Sequence, residues 1–159
     1  MWPATQADAA ATDATSTDYY GGTVAAVKPG ALLALPPSFD VASLESDPGR
    51  QLAWTMQSNG GYLVDDTGWS IYQIATEYGT TDEGGEATEV FDDQFLADYG
   101  YAFSQPGTST ALPSDAKPAS AWMRDVDRIF KSLEVVTNNA PTSIGGGGTP
   151  RQPLAPALR

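Results

Sequence analysis

Residues 120–133 carry the strongest periodic signal in this chain. Trp122, Met123, Val126, Ile129, Phe130 and Leu133 recur at helical spacing and form one apolar stripe. Ser120 stands where an N-cap is wanted, and Arg124, Asp125, Asp127, Arg128 and Lys131 are expected to cover the solvent side. Such a stripe has to be buried against other elements, and the remaining candidates are short. Residues 31–35 (Ala-Leu-Leu-Ala-Leu) form a continuous apolar run that reads as a buried strand, stopped by Pro36-Pro37. Residues 23–27 read as a further short strand, followed by a turn at Lys28-Pro29-Gly30.

Asp47-Pro48 marks a helix start, with Asp47 as N-cap and Pro48 at the first helical position. Leu52, Ala53 and Met56 share one face of that helix, and Asn59-Gly60 ends it. Residues 62–64 are then expected to form a β-hairpin with residues 69–76 across a turn at Thr67-Gly68. Phe91, Phe95, Leu96 and Tyr99 recur at helical spacing, and Val135-Val136 looks like a last strand. The pattern predicts one α+β domain over residues 23–140, with a small, mainly antiparallel sheet and two or three packed helices. A mostly β arrangement is the alternative. Residues 1–22 read as a polar N-terminal arm. Residues 141–159 read as a Gly/Pro-rich C-terminal tail that packs on the domain or on a neighbour.

Composition narrows the chemistry. The chain contains no Cys and no His. That removes disulfides, thiolate nucleophiles, imidazole metal sites and Ser-His-Asp triads. The net charge of -12 disfavours nucleic acid and anionic membrane surfaces as partners. Between residues 51 and 116 there is no Lys or Arg, a field that favours cations or neutral polar ligands. No stretch approaches the ~20 apolar residues of a membrane span, so no membrane insertion is expected. Met1-Trp2-Pro3-Ala4 opens directly into polar sequence, with no visible secretory leader.

The candidate site lies in residues 60–69, Gly-Gly-Tyr-Leu-Val-Asp-Asp-Thr-Gly-Trp. A short apolar run there delivers two carboxylates, a turn and an aromatic to the surface. Tyr62, Asp65, Asp66, Trp69 and Tyr72 are the candidate ligand-binding residues. Neighbouring side chains of a strand point to opposite faces, so Asp65 and Asp66 cannot serve one pocket unless the strand has ended. Capping of the turn explains them as well. Residues 66–77 have the span of an EF-hand loop, but Gly68 and Ile71 occupy positions that need an acid and a glycine. An irregular calcium (Ca²⁺) site in the acidic region stays open as the one candidate cofactor. Asp92 and Asp93 are explained by the positive end of a helix. The glycines at 145–148 lack the Lys-Ser/Thr of a phosphate-binding loop, and are expected to let the chain pass close over another backbone.

Several blocks together resemble a family of uncharacterised, secreted bacterial proteins, some of which accompany carbohydrate-active modules. The blocks are Trp2-Pro3-Ala4-Thr5 with Asp8, residues 30–37, 48–53 and 60–66, then 122–130 and 138–150. The resemblance implies an extracellular or cell-surface location more than an activity. It also implies that this sequence corresponds to the C-terminal part of longer chains whose upstream segment carries a histidine.

The leading expectation is therefore a secreted glycan- or polysaccharide-binding module. An assembly subunit of an extracellular oligomer or filament is the alternative, with partners that are copies of itself or another chain supplying the upstream segment. A carboxylate-based glycan-cleaving enzyme is the third reading, although nothing in the sequence selects a pair of acids.

Overall fold

The computed structural model describes residues 3–4, 13–15, 17, 19, 26–64, 72–74, 90–103 and 120–146. Three helices and a three-stranded antiparallel sheet make an α+β arrangement, with helix predominating over strand, so the mostly β alternative is not what forms. In chain order the elements are β1 (Leu32–Ala34), α1 (Asp47–Ser58), β2 (Gly61–Tyr62), α2 (Val90–Tyr99), α3 (Ala121–Lys131) and β3 (Glu134–Val135). The described residues also include a 3₁₀ turn at Val41–Ser43 and a turn at Ile144–Gly146, in which Gly145 departs from helical geometry.

β1 is the central strand because its apolar run can be covered on both faces. β2 and β3 flank it, with Leu32 opposite Tyr62, Leu33 opposite Gly61 and Val135, and Ala34 opposite Glu134. Directly opposed residues share a face. One face therefore carries Leu32, Ala34, Tyr62 and Glu134, and the other carries Leu33, Gly61 and Val135. The second face turns to α1, since a Cβ added at Gly61 would lie 3.1 Å from Met56 Cε.

α1 returns to the sheet through Gly60, whose φ of 69° is the left-handed conformation that glycine adopts without strain. A Cβ there would also lie 2.6 Å from the Leu33 carbonyl oxygen, so no other residue fits beneath the strand. The predicted hairpin does not form in the described part. β2 pairs with β1, and Tyr72, Gln73 and Ile74 carry no strand. Ala26 and Val27, expected in a strand, belong to the bend and turn ahead of β1, where Ala31 N–H donates to the Lys28 carbonyl. The proline and glycine that follow favour that turn.

The start of α1 also differs from expectation. Ser46, not Asp47, is the N-cap: its Oγ accepts from Gly49 N–H at 3.1 Å. Asp47 is the first helical residue and Pro48 the second, still within the turn that needs no intrahelical donor. The larger correction is Asp125. The sequence pattern places it on the solvent face of α3, whereas it is completely buried. Its Oδ1 accepts from Glu45 N–H (3.0 Å), and its Oδ2 accepts from Ser46 N–H (2.7 Å) and Ser46 Oγ–H (2.6 Å). One carboxylate thus holds the N-terminus of α1 against α3. Gly49 leaves the room, because a Cβ there would overlap the Asp125 carboxylate and come within 2.7 Å of its Cβ.

Arginines reinforce the same seam. Arg124 grips the Glu45 carboxylate with Nε and Nη2 at 2.9 and 2.5 Å. Arg128 donates to the Ser43 carbonyl and hydroxyl. Arg50 reaches back to the Leu44 carbonyl and pairs with Asp47.

Two apolar clusters sit beneath this seam. Leu35, Leu44, Ala53 and Ile129 form one, and Phe95, Trp122 and Val126 the other. Leu52 and Phe130 touch both and join them into one core. The second cluster is aromatic: Phe95 and Phe103 lie 5.0 and 5.8 Å from the Trp122 ring, and Trp122 Nε1 donates to the Phe103 carbonyl. Complete burial of a side chain such as Ile129 is worth about 1.5–3 kcal/mol.

Candidate functional site

The sheet face that carries Leu32, Ala34, Tyr62 and Glu134 forms part of an open groove of about 680 Å³. The C-terminal end of α1 supplies one side through Gln57, Ser58 and Asn59, and the segment after β3 supplies the other through Asn138 and Ile144–Gly146. Both sides are held by hydrogen bonds. Gln57 Nε2 donates to the carbonyls of Pro36 (3.1 Å) and Phe39 (2.9 Å), tying α1 to the chain that leaves β1. Asn138 Nδ2 donates to the Gly146 carbonyl at 2.7 Å, and Asn139 Oδ1 accepts from Gly145 N–H at 2.9 Å.

Those two asparagines close the last loop on itself, with a bridge between Ala140 and Ser143 at its base. Gly145 and Gly146 take φ values of 69° and 84°. A Cβ at Gly146 would lie 2.5 Å from Asn138 Oδ1 and 2.9 Å from Val136 Cγ1. The expected passage over another backbone is not what forms here: the close neighbours of Gly146 are side chains, and a Cβ at Gly145 would meet nothing within 4 Å. Gly147 and Gly148 lie outside the described residues.

The five candidate ligand residues separate. Tyr62 stands on the groove, opposite Leu32 in β1, with its side chain half-exposed. Tyr72 is fastened to α3: its ring packs on Phe130 at 4.7 Å and its hydroxyl donates to Asp127 Oδ1 at 2.7 Å. Asp127 also takes Lys131 Nζ at 2.9 Å. Partial burial, then the hydrogen bond to Asp127, push the Tyr72 phenol up to about 12. The Lys131 ammonium, with help from Tyr72, holds the Asp127 carboxyl below its usual range. Asp65, Asp66 and Trp69 lie outside the described residues, as does most of the acidic stretch in which a Ca²⁺ site stays open. Among the described residues, no three or more carboxylates come close enough together to hold a metal ion.

Asp92 and Asp93 do lie in the first turn of α2, as the helix-end explanation requires. Trp122 is buried in the core, also as expected.

Sequence reasoning missed Gln57, Asn59, Glu134 and Asn138 as groove residues. Each is polar and locally unremarkable. Only the pairing of β1 with strands on both sides brings residues 57–62 and 134–146 to one place. Chemically, the groove offers a phenol ring, side-chain amides, main-chain groups and one carboxylate, Glu134, among its lining residues. Hydrolysis of a glycosidic bond by the usual route needs two carboxyl groups placed across the bond. Among the described residues the groove holds one, Glu134.

No helix among the described residues is long and apolar enough to cross a membrane. Comparison with protein-family models, with curated proteins and with solved structures finds no match to this chain.

Proposed function

We propose that this protein is an extracellular or cell-surface module that binds a glycan in the groove across its sheet. The observation that carries the reading is the groove itself: about 680 Å³ of open space whose lining includes Tyr62, Asn59 and Asn138. An exposed phenol ring stacks on the apolar face of a sugar, while neighbouring amides exchange hydrogen bonds with its hydroxyls. The hydrogen bonds that close both sides favour a preformed site, which spares the ordering entropy of binding. The extracellular setting rests on the sequence resemblance alone. Affinity electrophoresis and calorimetry against a broad glycan panel test the reading. Retention of at least one glycan class is expected, and Tyr62→Ala is expected to weaken it by about 1–2 kcal/mol, roughly tenfold. No retention across the panel, or binding indifferent to Tyr62→Ala, refutes it.

A second reading, an assembly subunit, is favoured by a separate observation. Val64 and Ile144 are 72% and 68% exposed, large apolar side chains left in water next to the sheet. A purely monomeric particle in light scattering across the working concentration range argues against it.

A further inference from the structure

We infer that the groove selects an uncharged oligosaccharide and rejects chains that carry carboxylate or sulfate groups. This deepens the glycan reading and rests on it. The first observation is the charge of the lining. Among the described lining residues Glu134 is the one ionised side chain, and Tyr62, Gln57, Asn59 and Asn138 are neutral. A uronate entering this groove meets a like charge and, among the described residues, no counter-charge; Lys117, Arg151 and Arg159 lie outside them.

The second observation is where the cations are. Arg50, Arg124, Arg128 and Lys131 are all committed to the seam between α1 and α3 or to Asp127, and none of them lines the groove. Arg124 holds Glu45 through two guanidinium nitrogens, a fixed fork that cannot swing toward an incoming anion without breaking both bonds. Lys28, in the turn ahead of β1, is also absent from the lining. These guanidinium groups serve the fold, where they hold the 43–47 segment in place.

The third observation is the field of the whole chain. A net charge of -12, with no basic residue from 51 to 116, repels polyanions before contact is made. A neutral chain is untouched by that field. The groove, open and about 680 Å³, has room for more than one sugar ring, so the proposal takes an oligosaccharide as the ligand.

The test is calorimetric titration of the intact protein at low salt. Neutral hexasaccharides (cellohexaose, mannohexaose and xylohexaose) are compared with hexagalacturonate. Binding of at least one neutral hexasaccharide is expected, with hexagalacturonate about tenfold weaker or more, and a gap that narrows as salt is added. Glu134→Gln is expected to raise hexagalacturonate affinity about threefold to fivefold, because it removes the like charge inside the groove. Hexagalacturonate binding as tightly as the neutral chains, or a gap insensitive to both salt and Glu134→Gln, overturns the selectivity and leaves glycan recognition standing. Failure of every chain, neutral and acidic, extends to the wider glycan panel and overturns the glycan reading itself.

Discussion

Replacing Asp125 tests the reasoning about this fold most directly. Its carboxylate is fully buried and accepts three hydrogen bonds, from two main-chain N–H groups and one hydroxyl. Asp125→Ala removes the acceptor and leaves three donors unpaired, the two of Ser46 buried and that of Glu45 partly buried. A buried donor left without a partner costs about 1–3 kcal/mol, and water entering the small void recovers part of that. The expected loss is therefore about 3–5 kcal/mol, the range seen when one partner of a buried charged contact is deleted. For a chain of 159 residues that is a fall in Tm of about 6–20 °C.

Asp125→Asn keeps the shape but turns an amide donor toward one of the same donors, so an intermediate loss of about 2 kcal/mol is expected. Urea unfolding followed by the fluorescence of buried Trp122 and by far-UV circular dichroism measures both. Gly49→Ala supplies the sharper control. Alanine inside an ordinary helix gains about 1 kcal/mol over glycine. Here the added methyl overlaps the Asp125 carboxylate, so the sign should reverse to a clear loss. In the Asp125→Ala background that loss should shrink by more than about 1 kcal/mol, because only the Cβ contact at 2.7 Å remains. If Asp125→Ala stays within about 1 kcal/mol of the parent, or Gly49→Ala stabilises, the assignment of a carboxylate keystone between α1 and α3 is wrong.

Three other outcomes are expected. Gly60→Ala should lose at least about 2 kcal/mol in the same unfolding assay, from its φ of 69° and the Leu33 carbonyl 2.6 Å from the new Cβ. Tyr72, with its phenol raised to about 12, favours the neutral form in the fold, so its contribution is complete below about pH 10 and is lost as pH climbs through 10 to 12. The side chain is 40% exposed, so that contribution should stay under about 1 kcal/mol, and Tyr72→Phe should flatten stability over that window. Glu45, lowered chiefly by the Arg124 hydrogen bond, and Asp127, lowered chiefly by Lys131, favour their charged forms in the fold. Their contributions should be present above the ordinary carboxylate range and fade as pH falls below it, and Glu45→Gln should blunt that acid slope in stability measured from pH 6 to 2.

Local pattern carried much of this architecture. The Trp122–Val126–Ile129 stripe, the Ser120 cap, the Asn59-Gly60 stop and the apolar run of β1 all read correctly, because each depends on residues within one turn or one strand. Asp125 shows where such reading fails. It sits three residues after Trp122 and four before Ile129, in phase with the buried stripe, and its polarity overrode its phase. A charged residue in that phase is a signal that a donor set awaits it elsewhere in the fold. Those donors, at 45 and 46, are specified by tertiary contact alone. The misplaced cap has the same origin, since Ser46 and Asp47 are both good caps and the contact with Asp125 decides between them. The groove was not legible for a related reason. Its members come from segments some 80 residues apart, and none shows a motif of its own. Tyr62 lines the groove, whereas its separation from Tyr72 depends on Phe130 and Asp127 in α3.

The seam between α1 and α3 also sets the order in which the chain can complete itself. The acceptor for Ser46 stands 79 residues downstream, and closing a loop of that length costs about 4 kcal/mol of chain entropy. The first half of the sequence can gather α1 and β1 during synthesis, but it emerges without the carboxylate that finishes its helix and without Ile129, which fills its core. Folding of the 26–64 region is thus coupled to arrival of the 120–135 region, a non-local contact that slows the search and makes it all-or-none. A chain cut ahead of Ala121 is expected to give no stable half, only a protease-sensitive polypeptide awaiting a partner that it does not encode.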